Sequence, residues 1–176
     1  MIKYHYQNSN IVFVGINPHF GSFNRGVPFS NNKTFWYLLA RAGVINEKIK
    51  DFSEDSKLKE IYDKKFNQVY HLGIVNMIDR PSRDIADLKK GEELLGKKRL
   101  LSIVKTVKPK VVCFVGRLTY EKFSGLKDFA FGWQKDIDHT ALYVMHFPLH
   151  GKADIRVEEL KAVKNFAETN KKTPQG

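Results

Sequence analysis

Four groups of polar side chains stand directly after apolar runs in this chain, and their types limit the chemistry they could perform. Asn17 closes the stretch Ile11-Val12-Phe13-Val14-Gly15-Ile16-Asn17-Pro18. Asn76 and Asp79-Arg80-Pro81-Ser82 follow a second run, Gly116-Arg117 a third, and His146 through Lys152 a fourth. Carboxamides, an imidazole and guanidinium groups can orient a water, read the polar edge of a planar ligand and stabilise developing negative charge. Gly15 accepts backbone angles denied to other residues and Pro18 fixes its own torsion, so the chain leaves the first run in a defined loop. Taken alone, Asn17 reads equally well as a turn residue bonded to its own backbone.

Other chemistries lack their residues. The six histidines are scattered, and none pairs with a second His, Cys or carboxylate at helical ligand spacing, so no metal is expected. The glycines at 15, 21 and 26 form no nucleotide fingerprint, no lysine completes a phosphate loop, and no cofactor is expected. Ser22 has no nucleophile-elbow context. The single cysteine, Cys113, lies in an apolar run and reads as a buried strand residue, which excludes an intramolecular disulfide and a cysteine-ligated iron–sulfur cluster.

The elements that must position these residues follow from periodicity. Ile11 to Val14, Val69 to Ile74, Val111 to Val115 and Leu142 to Met145 are short, β-branched or aromatic runs bounded by turn residues, and they predict four strands. Thr34 to Ala42, Glu92 to Val107 and Val157 to Phe166 carry helical spacing, with Thr34 as N-cap and Gly43 as stop of the first. Leu94, Leu95, Leu101, Ile103 and Val104 are the expected inner face of the second. Alternating strands and helices predict an α/β protein, a three-layer α/β/α sandwich around a mostly parallel four-stranded sheet. The charged stretch 48–65 reads as a surface excursion with one short helix. The length suits a single domain over residues 1–168, with a polar tail, 169–176, expected to fray. In such a sheet ligands sit beyond the carboxyl ends of the strands, so all four polar groups converge.

With 30 Lys and Arg against 19 Asp and Glu, the formal charge is +11 and the pI about 9.6, which favours a polyanionic partner. Aromatic residues near Gly, Asn and Arg in the first third favour base stacking. No basic leader and no membrane-length apolar run is visible, so a cytoplasmic, nucleoid-associated or nuclear location is expected, and a monomer is the default.

Gly15-Ile16-Asn17-Pro18, then Phe29 and Thr34-Phe35-Trp36, resemble the opening motif of the mismatch-specific uracil/thymine-DNA glycosylases in the uracil-DNA glycosylase superfamily. The resemblance continues in order through Asn76-Met77-Ile78-Asp79-Arg80-Pro81, Phe114-Val115-Gly116-Arg117, Phe131-Gly132-Trp133-Gln134 and Tyr143-Val144-Met145. It implies monofunctional base excision from double-stranded DNA holding a damaged or mismatched base, extruded from the duplex before its N-glycosidic bond is cut. Asn17 matches the family's catalytic asparagine, Gly15 and Ile16 accompany it in the substrate site, Phe29 matches the aromatic that stacks on the flipped base, and Asn76 sits where a polar base edge is read. Arg80 is read as a loop support or phosphate contact.

The match fails after the fourth strand. Members of this branch carry a small, Ser-rich loop and an arginine or similar wedge, where this chain has His146-Phe147-Pro148-Leu149-His150-Gly151-Lys152. That loop is closer to the His-and-Pro loop of other branches, so His146 is either an electrophilic catalytic helper or a structural anchor. Leu149 or His150 is the expected wedge, beside Gly151, with Lys152 on nearby phosphates. A non-catalytic nucleic-acid binder keeping the glycosylase fold is the alternative, and a flavodoxin-shaped small-molecule enzyme a third reading.

Overall fold

Alternation along five short strands divides the interior into two cores. In the computed structural model, which describes residues 1–149 and 151–169, β1 (Ile11–Gly15), β2 (Leu72–Asn76), β3 (Val111–Val115), β4 (Gly132–Ile137) and β5 (Thr140–Met145) form one sheet in the order β2-β1-β3-β5-β4. The sheet is parallel except for β4, which pairs antiparallel with β5. Ile11, Phe13, Ile74, Cys113 and Met145 point into one layer with α6 (Ala153–Thr169) and with α2 (Thr34–Arg41), which follows the short α1 (Phe20–Arg25). Val12, Val14, Val75, Phe114 and Val144 point into the other, against α4 (Leu94–Thr106) and α5 (Arg117–Ser124). The fold is the α/β/α sandwich predicted from the sequence, with one strand more.

The differences have local causes. β4 reads Gly-Trp-Gln-Lys-Asp-Ile, an edge strand largely open to solvent, and such a strand needs no apolar run to declare it. The second strand starts at Leu72 rather than Val69, because Val69 and Tyr70 donate to the Lys65 carbonyl and His71 adopts φ 55°. Of the expected inner face of α4, Ile103 and Val104 are buried and Leu101 is partly buried, while Leu94 and Leu95 are exposed and Gly96 and Leu100 are buried in their place. Thr34 is the first residue of α2 rather than its cap; the Asn32 side chain accepts from the Thr34 N–H at 2.9 Å.

The stretch 48–65 is the largest correction. A 3-10 turn (Ile49–Ser53), α3 (Asp55–Glu60) and a π-helical turn (Ile61–Phe66) bury Phe52, Leu58, Tyr62 and Phe66, three of whose rings surround Trp36. Because the helical pitch changes twice, no single period runs through these residues, which is why the stretch looks polar in sequence. No described helix is long and apolar enough to cross a membrane.

Candidate active site

Pairing of β1 with β2 brings the two asparagines to the same end of the sheet, where both line one cavity. Gly15 is in register with Asn76, and the ladder continues past both strands through Met77 N–H to Gly15 carbonyl and Ile78 N–H to Ile16 carbonyl, each 2.8 Å. Ser82 N–H then reaches the Pro18 carbonyl at 3.1 Å, which folds the 77–84 loop back over the first one. Gly15 must lack a side chain here: a Cβ would stand 2.5 Å from Asn76 Oδ1 and 2.7 Å from Phe29 Cζ.

The Asn17 amide is held by neutral groups. Its Nδ2 donates to Ser82 Oγ at 2.8 Å, to the Arg80 carbonyl at 3.1 Å and to the Pro18 carbonyl at 3.4 Å. Two of these partners can only accept, so the nitrogen end is identified by its surroundings and Oδ1 is the end left to a ligand. Ser82, 6% exposed, donates its own proton to the Asp84 carbonyl at 2.9 Å. Its lone pair is thereby turned towards Asn17.

Phe29 has φ 55°, a backbone region that a bulky residue occupies only when its surroundings hold it there. Its neighbours are tied down on both sides: Ser22 Oγ accepts from Ser30 N–H at 3.0 Å and Asn31 N–H at 2.8 Å, Arg25 donates to the Ser30 carbonyl at 2.6 Å, and Trp36 Nε1 donates to the Pro28 carbonyl at 2.9 Å. Its ring lies 4.5 Å from that of Phe35.

A cavity of about 530 Å³ opens between these elements, lined by Ile16, Asn17, Phe29 and Asn76 on its inner side and by Phe147, Pro148 and Leu149 on another. That size lies within the ordinary range for a bound small molecule, about 300–1,000 Å³. Ser82, one of the polar groups expected to converge here, also faces it, as do Ser22 and Arg83, neither of which the sequence marked as a site residue. A serine is conspicuous only when its hydrogen bonds are seen, so the signal in sequence was limited to the position of Ser82 just beyond Arg80-Pro81.

Around the cavity, ion pairs fix the loops. Arg99 grips Asp79 at 2.9 and 2.6 Å and also donates to the Asn76 carbonyl at 3.3 Å, while Tyr4 donates to Asp79 at 2.7 Å. Hydrogen bonding from Arg99 holds the Asp79 carboxyl below its ordinary range. Arg80 is a loop support, bound to both oxygens of Glu92 at 2.8 and 2.9 Å; the Arg80 guanidinium and then the Lys89 N–H lower the Glu92 carboxyl to about 2. Arg117 donates to the Phe129 and Lys127 carbonyls and braces that segment rather than the cavity.

His146 stands beside the cavity and outside its lining. Its Nδ1 lies 3.1 Å from Glu159 Oε1, its backbone N–H donates to the same oxygen at 3.0 Å, and its ring stacks on Phe131 at 3.6 Å between centroids. A carboxylate can only accept at this contact, which favours a proton on Nδ1. Leu149 and Phe147 are exposed at the mouth, Gly151 and Lys152 are exposed further along, and His150 falls outside the described residues. Among the described residues no group of three or more His, Cys, Asp or Glu side chains could hold a metal ion.

A cleft at the carboxyl edge of a mostly parallel sheet, with Asn17, Asn76 and Phe29 among the residues that line it and a strongly basic chain around it, is the kind of α/β site that suits a polyanionic substrate and chemistry by placed polar groups. The family model of the uracil DNA glycosylase superfamily matches residues 2–172, and the chain belongs to that superfamily. Membership makes DNA the substrate and base excision the class of activity.

Proposed function

We propose that this protein is a monofunctional DNA glycosylase of the uracil and mismatch type, acting as a monomer on uracil opposite guanine. The observation that carries the reading is the Asn17 amide, turned by three acceptors so that Oδ1 is free beside Phe29 and Asn76. In this reading the extruded base stacks on Phe29 and presents its polar edge to Asn76, whose amide offers both a donor and an acceptor to an imide. Asn17 Oδ1 accepts from a water and holds it against C1′ while the sugar becomes cationic. A neutral amide removes no proton early; its contribution is position. The departing base carries the electron pair of the cleaved bond, and fixed donors around it stabilise the anion. Leu149 fills the vacated place in the duplex, with Gly151 and Lys152 along the backbone.

The test is base release from duplexes carrying uracil, thymine, hypoxanthine or ethenocytosine opposite guanine or adenine, with alkali opening the abasic sites. Uracil opposite guanine is expected to be cut best, and Asn17→Ala to lose at least about 100-fold in turnover, the scale of one lost stabilising group, while keeping most DNA affinity. An Asn17→Ala variant with full turnover overturns the assigned role. A parent protein that binds these duplexes and releases no base from any of them favours the non-catalytic alternative.

A further inference from the structure

Only two residues of formal charge are buried among those described, Arg156 at 7% and Glu159 at 8% exposure. They lie three residues apart on α6, and both attend to one loop. Glu159 accepts from the backbone N–H of His146 at 3.0 Å, with the ring nitrogen at 3.1 Å, at the point where β5 ends. Arg156 donates to the Phe147 carbonyl at 2.7 Å and to the Lys152 carbonyl at 3.0 Å, and so joins the two stems of the loop. Gly151 has φ 90° and a Cβ there would come within 3.2 Å of the Arg156 guanidinium, so the chain wraps closely around that group.

The distribution of polarity is inverted. Charges are buried beneath the loop while the apolar Phe147 and Leu149 are left 43% and 46% exposed at its tip. Burying an ionised group is unfavourable unless its hydrogen bonds are well made, and apolar side chains ordinarily take the interior place. An arrangement that does the reverse fixes the backbone of the loop and keeps its apolar tip outward. Rigid presentation lowers the ordering entropy that insertion would otherwise require.

Resting on the reading that Leu149 enters the duplex, we propose that Arg156 and Glu159 are positioning residues, a two-point brace that presets residues 146–149 for insertion between DNA strands. Neither touches the substrate. The brace matters when a base must be drawn from a paired duplex and matters little when the base is already unpaired.

The experiment compares kcat/KM for uracil paired with guanine and uracil in an unpaired bubble between duplex arms, for the parent, Leu149→Ala, Arg156→Met and Arg156→Lys. Arg156→Met keeps the bulk of the side chain and removes its donors. Its duplex-to-bubble ratio is expected to fall at least fivefold, with bubble activity within twofold of the parent. Arg156→Lys, which reaches one carbonyl instead of two, is expected to fall between them and carries the test if the Met variant does not fold. A ratio unchanged in both Arg156 variants while Leu149→Ala lowers it overturns the brace and leaves the wedge standing. An unchanged ratio in Leu149→Ala overturns the wedge and the inference with it. A parent inactive on both substrates overturns the glycosylase reading on which both rest.

Discussion

On one side of the cleft Asn17 is held by two carbonyl oxygens and a hydroxyl; on the other, His146, Phe147 and Lys152 hang from a buried carboxylate and a buried guanidinium. The first clamp consists of three modest, neutral bonds beside a continuous backbone ladder, so it orients an amide without setting a charge against its nitrogen. The second uses two charged groups on a helix to organise a loop with no ladder of its own beyond the end of β5. Neutral bonds suffice where the sheet already fixes the backbone. Charge-assisted bonds, roughly twice as strong, serve where it does not.

The comparison breaks most sharply if charge is put into the neutral side. Asn17→Asp places a carboxylate oxygen against the Arg80 and Pro18 carbonyls, which have nothing to donate. Turnover at neutral pH is expected to drop about 100-fold or more, the scale of a misplaced catalytic group. Protonation supplies the missing donor, so activity relative to the parent should recover as pH is lowered; a flat relative pH profile would show that the loop repacks around the carboxylate. Ser82→Ala is milder. It removes one of three acceptors, worth about 1 kcal/mol, so kcat should fall about fivefold with KM little changed. A rise in KM at constant kcat would move Ser82 from positioning Asn17 to binding substrate.

The two sides also differed in how much the sequence disclosed. Asn17 and Asn76 stand at the ends of strands whose apolar runs mark them, Phe29 lies in the turn before α2 and was legible only through the family motif, and the structure gathers all three at one cavity. Their clamp was hidden, because Ser82 and the Arg80 carbonyl are defined by how a loop folds back. Arg156 and Glu159 left a fainter mark. Arg156, Leu160, Val163 and Ala167 recur at helical spacing on the buried face of α6, and a charge on an apolar stripe was the available signal. The edge strand β4 and, apart from its one expected short helix, the buried face of the 49–66 segment were hidden for a simpler reason: the first is half solvated and the second changes pitch, so neither keeps one period long enough to be read.

The smallest effect is expected at the outer rim of the neutral side, where an exposed ion pair supports the peptide that accepts from Asn17. Glu92 is lowered from 4.5 to about 2 by Arg80 and by the Lys89 N–H, so its folded form favours the carboxylate. A depressed carboxyl contributes stability that is present above its ordinary value and lost as pH falls through the folded one. The parent should therefore be slightly more stable than Glu92→Gln at pH 5–7, and the difference should shrink between pH 4.5 and 2, as read from urea midpoints at each pH. Both pair members reach solvent, so the advantage is screened by salt. Base release should change less than twofold, because Asn17 is bonded to the Arg80 backbone, and that peptide is also held between the β1–β2 ladder and Ser82. A larger loss of kcat in Glu92→Gln would mean that the amide depends on a charged contact after all, and the two sides of the cleft would then be held in the same way.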